Sequence, residues 1–152
     1  MTVRYRLEAY VEIKASAHKF YEVFRSRPHH VPNISPSRIP SVDVHQGDWQ
    51  THGSVKVWKY SLDGKKVLTY KERVEFDDES KTVTLVGLEG DVFEDFKNYI
   101  TVFQAIPKDD SISVVKGVIE YEKLKEDGPD GIKNLDFVVG LIKDIEAHLV
   151  QA

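Results

Sequence analysis

Apolar and polar residues alternate without a break over residues 3–14. Tyr5, Leu7, Ala9, Val11 and Ile13 fall on one face, and Arg4, Arg6, Glu8, Tyr10, Glu12 and Lys14 on the other. A period of two over that length predicts a strand with one buried and one wet face. The period then changes. Ser16 is placed to cap a helix over 17–25 whose apolar side carries Phe20, Val23 and Phe24. Pro28 opens a second short helix that has to stop before Pro32 or Pro36. The two helices, joined near Ser26-Arg27-Pro28, form a V.

Six strand-like runs follow, at 39–46, 54–62, 66–76, 81–88, 96–106 and 112–123. Polar, glycine-rich breaks separate them. Gly47 and Gly53 bound one loop, and Asp63-Gly64 predicts a two-residue hairpin. Asp77 to Ser80, Glu89-Gly90-Asp91 and Pro107 to Asp110 mark the remaining turns. Beyond a polar break at 126–130, a long helix is predicted over 129–150. Pro129 suits its first turn and Asp130 its N-terminal dipole. Ile132, Leu135, Val138, Val139, Ile142, Ile145 and Leu149 form its apolar stripe; Lys133, Asp136, Lys143, Asp144 and Glu146 mark the other side. No repeat, low-complexity tract or linker interrupts the chain. The pattern predicts one α+β domain over 1–152, in which a curved antiparallel sheet of about seven strands grips a long C-terminal helix.

A twisted sheet curls, and its concave face has to be covered. A single helix, about 10 Å wide, is too narrow to fill a broad concavity. The inward-facing set is Lys56, Trp58 and Tyr60; Glu72; Val83 and Leu85; Tyr99, Thr101 and Phe103; and Ile119 and Tyr121. Leu135, Val139 and Ile142 face it from the helix, while Gly87 and Gly117 leave gaps where Cβ atoms would be. An aromatic interior with a few hydroxyls and one or two charges suits a small-molecule site. The same residues also serve as an ordinary filled core. Lys56 is the telling member, because a buried lysine needs a partner. Glu72, a ligand carboxylate or a ligand hydroxyl could each supply one, or the side chain could snorkel to the open end. A desolvated lysine or carboxylate can also move protons or form a Schiff base, so an enzyme using Lys56 or Glu72 stays open.

The 152 residues carry 21 Lys and Arg against 25 Asp and Glu, a net charge of −4. No basic run exceeds Lys65-Lys66, which argues against a nucleic-acid partner. The lack of cysteine excludes disulfides and thiolate metal sites. His29 and His30 are adjacent and diverge by about 100° on a helix, so they share a metal poorly. They are placed near the cavity mouth or against the sheet, and no metal or cofactor is expected. Trp49 either plugs the glycine loop or caps one mouth of the cavity. The Asp77-Asp78-Glu79 run reads as a solvated turn rather than a calcium site. No apolar stretch has the length of a signal peptide or a membrane span. A cytoplasmic protein, monomeric or weakly dimeric, without membrane insertion, is the expectation.

Several segments together resemble the major latex protein family of the plant Bet v 1 superfamily. They are Arg27-Pro28-His29-His30-Val31, Gly47-Asp48-Trp49, the run from His52 through Tyr60, Asp63-Gly64-Lys65, Lys71-Glu72-Arg73-Val74-Glu75, Glu89-Gly90-Asp91 and Ile119 to Lys123. The resemblance covers nearly the whole chain, in order. It implies a seven-stranded sheet around the C-terminal helix with an internal cavity. It also implies hydrophobic ligands such as sterols, fatty acids, flavonoids or hormones, with links to defence and stress. Some superfamily members condense or isomerise alkaloids, and others sense hormones by recruiting a protein; both remain alternatives. The loop here keeps the end glycines Gly47 and Gly53 of a Gly-x-Gly-x-x-Gly pattern and lacks the middle one. Because it joins two strands, it also lacks the helix N-terminus that makes such a loop bind phosphate. No paired-histidine arrangement supports ribonuclease chemistry.

Overall fold

The structure, a computed structural model, describes residues 3–151. Strand β1 (Arg4–Ile13) leads into α1 (Ala17–Arg25), a 3-10 turn (Pro28–His30) and α2 (Val31–Ile34). Six strands follow: β2 (Ser41–Gln46), β3 (Val55–Tyr60), β4 (Leu68–Asp77), β5 (Thr82–Gly90), β6 (Phe96–Pro107) and β7 (Ser113–Lys123). Helix α3 (Ile132–Gln151) closes the chain. The strands form one seven-stranded antiparallel sheet in the order β1-β7-β6-β5-β4-β3-β2. This is the α+β sheet-and-helix architecture that the alternating pattern predicts.

Local chemistry explains the element ends. The Ser16 hydroxyl accepts from Lys19 N at 3.1 Å and starts α1 where expected. The second helix passes Pro32 and stops at Ile34, before Pro36, one of the two expected limits. It is a 3-10 turn running into α2, with Pro32 in the first turn, where no backbone donor is missed. Asp63-Gly64 is not a two-residue hairpin: β3 ends at Tyr60 and β4 begins at Leu68. The Asp63 carboxylate accepts from Lys65 N and Lys66 N at 2.8 and 3.0 Å, and Gly64 takes φ +79°. That closed loop costs the strands their outermost pairs. Helix α3 starts at Ile132 rather than Pro129. Gly131 N donates to the Tyr121 hydroxyl at 2.8 Å, and a Cβ there would meet Ile119 Cδ1 at 2.7 Å. The chain must first dock on β7, and Ile132 is left 55% exposed, outside the buried stripe.

The core lies between the concave face and α3. Val138, Leu141, Ile142 and Ile145 are buried on the helix. Phe20 and Phe24 of α1 reach Phe103 on β6, with ring centroids 6.4 and 4.7 Å away. Gly87 and Gly117 open no gaps. A Cβ at Gly87 would meet Tyr99 O at 2.8 Å and the Phe93 and Tyr70 rings at 2.9 Å. One at Gly117 would meet Val138 Cγ1 at 2.7 Å. The missing side chains allow neighbours to come close. Gly117→Ala is therefore expected to push α3 off β7 and to destabilise the protein by about 1–3 kcal/mol, measurable as a lower denaturation midpoint.

Candidate functional site

The concave face holds a small apolar cavity of about 70 Å³. Its floor is Trp58, Tyr60 and Leu62 from β3 and its following loop, Tyr70 from β4, Leu85 from β5, and Tyr99, Thr101 and Phe103 from β6. Phe24 and Ile39 close one side, and Asn134, Phe137, Val138 and Leu141 of α3 form the roof. Strand register gathers these residues: Trp58 pairs with Tyr70, and Leu85 with Thr101. The Tyr70 hydroxyl donates to Leu85 O at 2.9 Å, so its polarity is satisfied within the sheet. Burial pushes the Tyr70 and Tyr99 hydroxyls above the usual phenol value, keeping them neutral donors.

An open cleft of about 580 Å³ adjoins this cavity, where α3 begins beside the β3–β4 loop and the 91–95 turn. Tyr60, Leu62, Asn134 and Phe137 border both spaces. The Tyr60 and Phe137 rings meet edge to face at 5.6 Å and form much of the partition. Burial, with a smaller contribution from the Asp91 carboxylate, pushes the Tyr60 hydroxyl up to about 12.

Lys56 and Glu72 form a buried pair that borders neither space. Their side chains are 1% and 0% exposed, and Lys56 Nζ lies 3.7 Å from Glu72 Oε1. Trp58 Nε1 donates to the same oxygen at 2.8 Å. Lys56 Nζ and Glu72 Oε2 have no hydrogen-bond partner. Burial drives both groups toward their neutral forms, lowering the Lys56 pKa and raising that of Glu72, while each opposes the other's shift. Snorkelling is overturned: Lys56 ends inside, beside the partner that register puts opposite it.

Of the expected lining set, Trp58, Tyr60, Leu85, Tyr99, Thr101 and Phe103 border the cavity. Val83, Ile119, Tyr121 and Ile142 instead sit in the close-packed core, and Leu135 and Val139 are half-buried outside the lining. The helix is turned so that the set Asn134, Phe137, Val138 and Leu141 faces the cavity. A polar Asn in that set hid it from a reading of apolar periodicity. Tyr70 shares strand parity with Glu72 and was legible; Phe24 and Ile39 required the tertiary fold. At 47–53, the Asp48 carboxylate accepts from Gln50 N and Thr51 N, and His52 Nδ1 accepts from Phe76 N at 3.1 Å. Trp49 packs on His29 at 5.1 Å and borders neither the cavity nor the cleft. Asp78 accepts from the Tyr21 hydroxyl and from Arg25. Among the described residues, no cluster of three or more His, Cys, Asp or Glu could hold a metal ion, and no helix is long and apolar enough to cross a membrane.

A seven-stranded sheet closed on one long helix, with an apolar cavity between them, defines a hydrophobic-ligand-binding fold. Residues 2–152 match the Pathogenesis-related protein Bet v 1 family. The chain is 38% identical over 146 residues to MLP-like protein 43 of Arabidopsis thaliana, covering 95% of this chain and 92% of that protein. It is 42% identical over 146 residues to MLP-like protein 34 of Arabidopsis thaliana, of whose length it spans 46%. The crystal structure of ginseng major latex-like protein 151 from Panax ginseng superimposes with a TM-score of 0.91 at 39% identity, covering 96% of this chain and 97% of that one. The chain belongs to the major latex protein group of the Bet v 1 family.

Proposed function

We propose that this protein is a cytoplasmic carrier or reservoir for a small hydrophobic metabolite, of the sterol, fatty-acid, flavonoid or hormone kind, in plant defence or stress. The observation that supports the reading is the apolar cavity between sheet and helix. Affinity would come from buried ligand surface at roughly 25 cal/mol per Å². That energy selects weakly among scaffolds, so several ligands should bind. Orientation would come from the Thr101, Tyr99 and Asn134 side chains that reach the cavity. At about 70 Å³ the cavity is far below the roughly 300–1,000 Å³ of a site that encloses a mid-sized ligand. Loading therefore requires α3 or its side chains to shift outward.

Leu141 is 4% exposed and roofs the cavity. Leu141→Phe adds volume there and is expected to weaken binding of an apolar fluorescent probe by about tenfold, or 1.4 kcal/mol. Probe affinity unchanged in a variant of native circular dichroism would refute binding in this cavity.

A further inference from the structure

The cleft beside the cavity has its own chemistry. Asp63, Asp91, Glu94, Asp95 and Asp136 border it. Lys66 and Lys133 are its cations apart from Arg38, which is already paired with Asp144 at 2.7 Å. None of the five carboxylates forms an ion pair among the described residues, though Asp91 Oδ2 accepts from Thr69 N at 2.7 Å and Asp63 from Lys65 N and Lys66 N. The cleft is thus acidic and open to a compensating cation. A second observation lies at its floor. Tyr60 is 8% exposed, borders cavity and cleft alike, and its hydroxyl donates no hydrogen bond within the described residues. The Tyr60 hydroxyl has no protein acceptor among these residues and is open to the space it borders, so it is free to bond a molecule held there.

We propose that cavity and cleft are one composite site for a cationic amphiphile. Its apolar body lies in the interior, its protonated amine lies among the cleft carboxylates, and Tyr60 meets the polar end of the body at the junction. Phe137 is the partition that swings aside. This inference rests on the carrier reading and narrows it to a ligand class. It also explains why the interior cavity alone is small: the closed partition divides a space that a bound molecule would occupy whole. An anionic head would meet like charge at the mouth. The carboxylates are solvent-facing, so their preference is modest and salt-sensitive.

The test uses three probes with the same ten-carbon chain, decylammonium, decanol and decanoate, titrated calorimetrically below their aggregation limits. Decylammonium is expected to bind about tenfold more tightly than decanoate at low salt, with decanol between, and the gap should close as salt is added. The double variant Glu94→Gln/Asp136→Asn removes two of the five carboxylates at exposed positions and should narrow the preference, chiefly by weakening decylammonium. Tyr60→Phe should weaken decanol. Equal binding of the ammonium and carboxylate probes, or a preference that the charge variant leaves undiminished, overturns the composite site while leaving the carrier reading intact. Failure of all three probes to bind overturns both.

Discussion

Lys56→Met is expected to lower stability at neutral pH by about 3–5 kcal/mol. The substitution strands the Glu72 carboxylate at 0% exposure with only Trp58 Nε1 to hold it. Most of that loss is the cost of an unpaired buried charge, not the worth of the pair. The double variant Lys56→Met/Glu72→Gln should therefore recover most of the stability, because the amide oxygen still accepts from Trp58. The pH dependence has a definite sign. Burial raises the Glu72 pKa above its ordinary value of 4.5, and Lys56 opposes that rise. A carboxyl with a raised folded pKa holds its stability below the unfolded value and loses it as pH rises through the folded one. With Lys56 gone the rise is larger. The Lys56→Met deficit should thus be small below pH 4.5 and grow toward neutrality. Denaturant midpoints of wild type and both variants across pH check this, and a deficit independent of pH would show that Glu72 titrates in the same way in both states.

Phe103→Ala is expected to cost about 3–5 kcal/mol, since the ring is 2% exposed and stacked on Phe24 at 4.7 Å. The same change enlarges the cavity that Phe103 lines. An apolar probe at saturating concentration should then return part of the lost stability. At 100 times its dissociation constant the gain is about 2.7 kcal/mol. Thermal midpoints with and without probe measure it. A variant destabilised as expected but untouched by the probe would mean that the space collapsed rather than opened.

Both experiments act on residues whose roles differ in legibility. Lys56 and Glu72 could be read as neighbours because alternation along β3 and β4 fixes which side chains share a face. Their pairing at register then follows. Their isolation from the cavity could not be read, since it depends on Trp58 and the surrounding packing filling the space between. Phe103 could be placed inward by parity alone. That it stacks on Phe24, far away in sequence, is a consequence of where the V of short helices comes to rest. The helix is the clearest failure of periodicity: the apolar stripe includes Leu135 and Val139 and leaves out Phe137 and Leu141, and only contact with the curved sheet brings the latter two to the cavity.

By itself the sequence determined the order of strands and helices and the inner face of each strand. It also determined that a wide concavity would meet a helix too narrow to fill it. These follow from backbone periods of two and 3.6 and from turn chemistry. The tertiary structure decided how much of that concavity stays empty. Close approach at Gly87 and Gly117, the rotation of α3 and the Tyr60–Phe137 contact are set by packing between distant segments. Residual space is a small difference between two large volumes, and no local pattern in the chain encodes it.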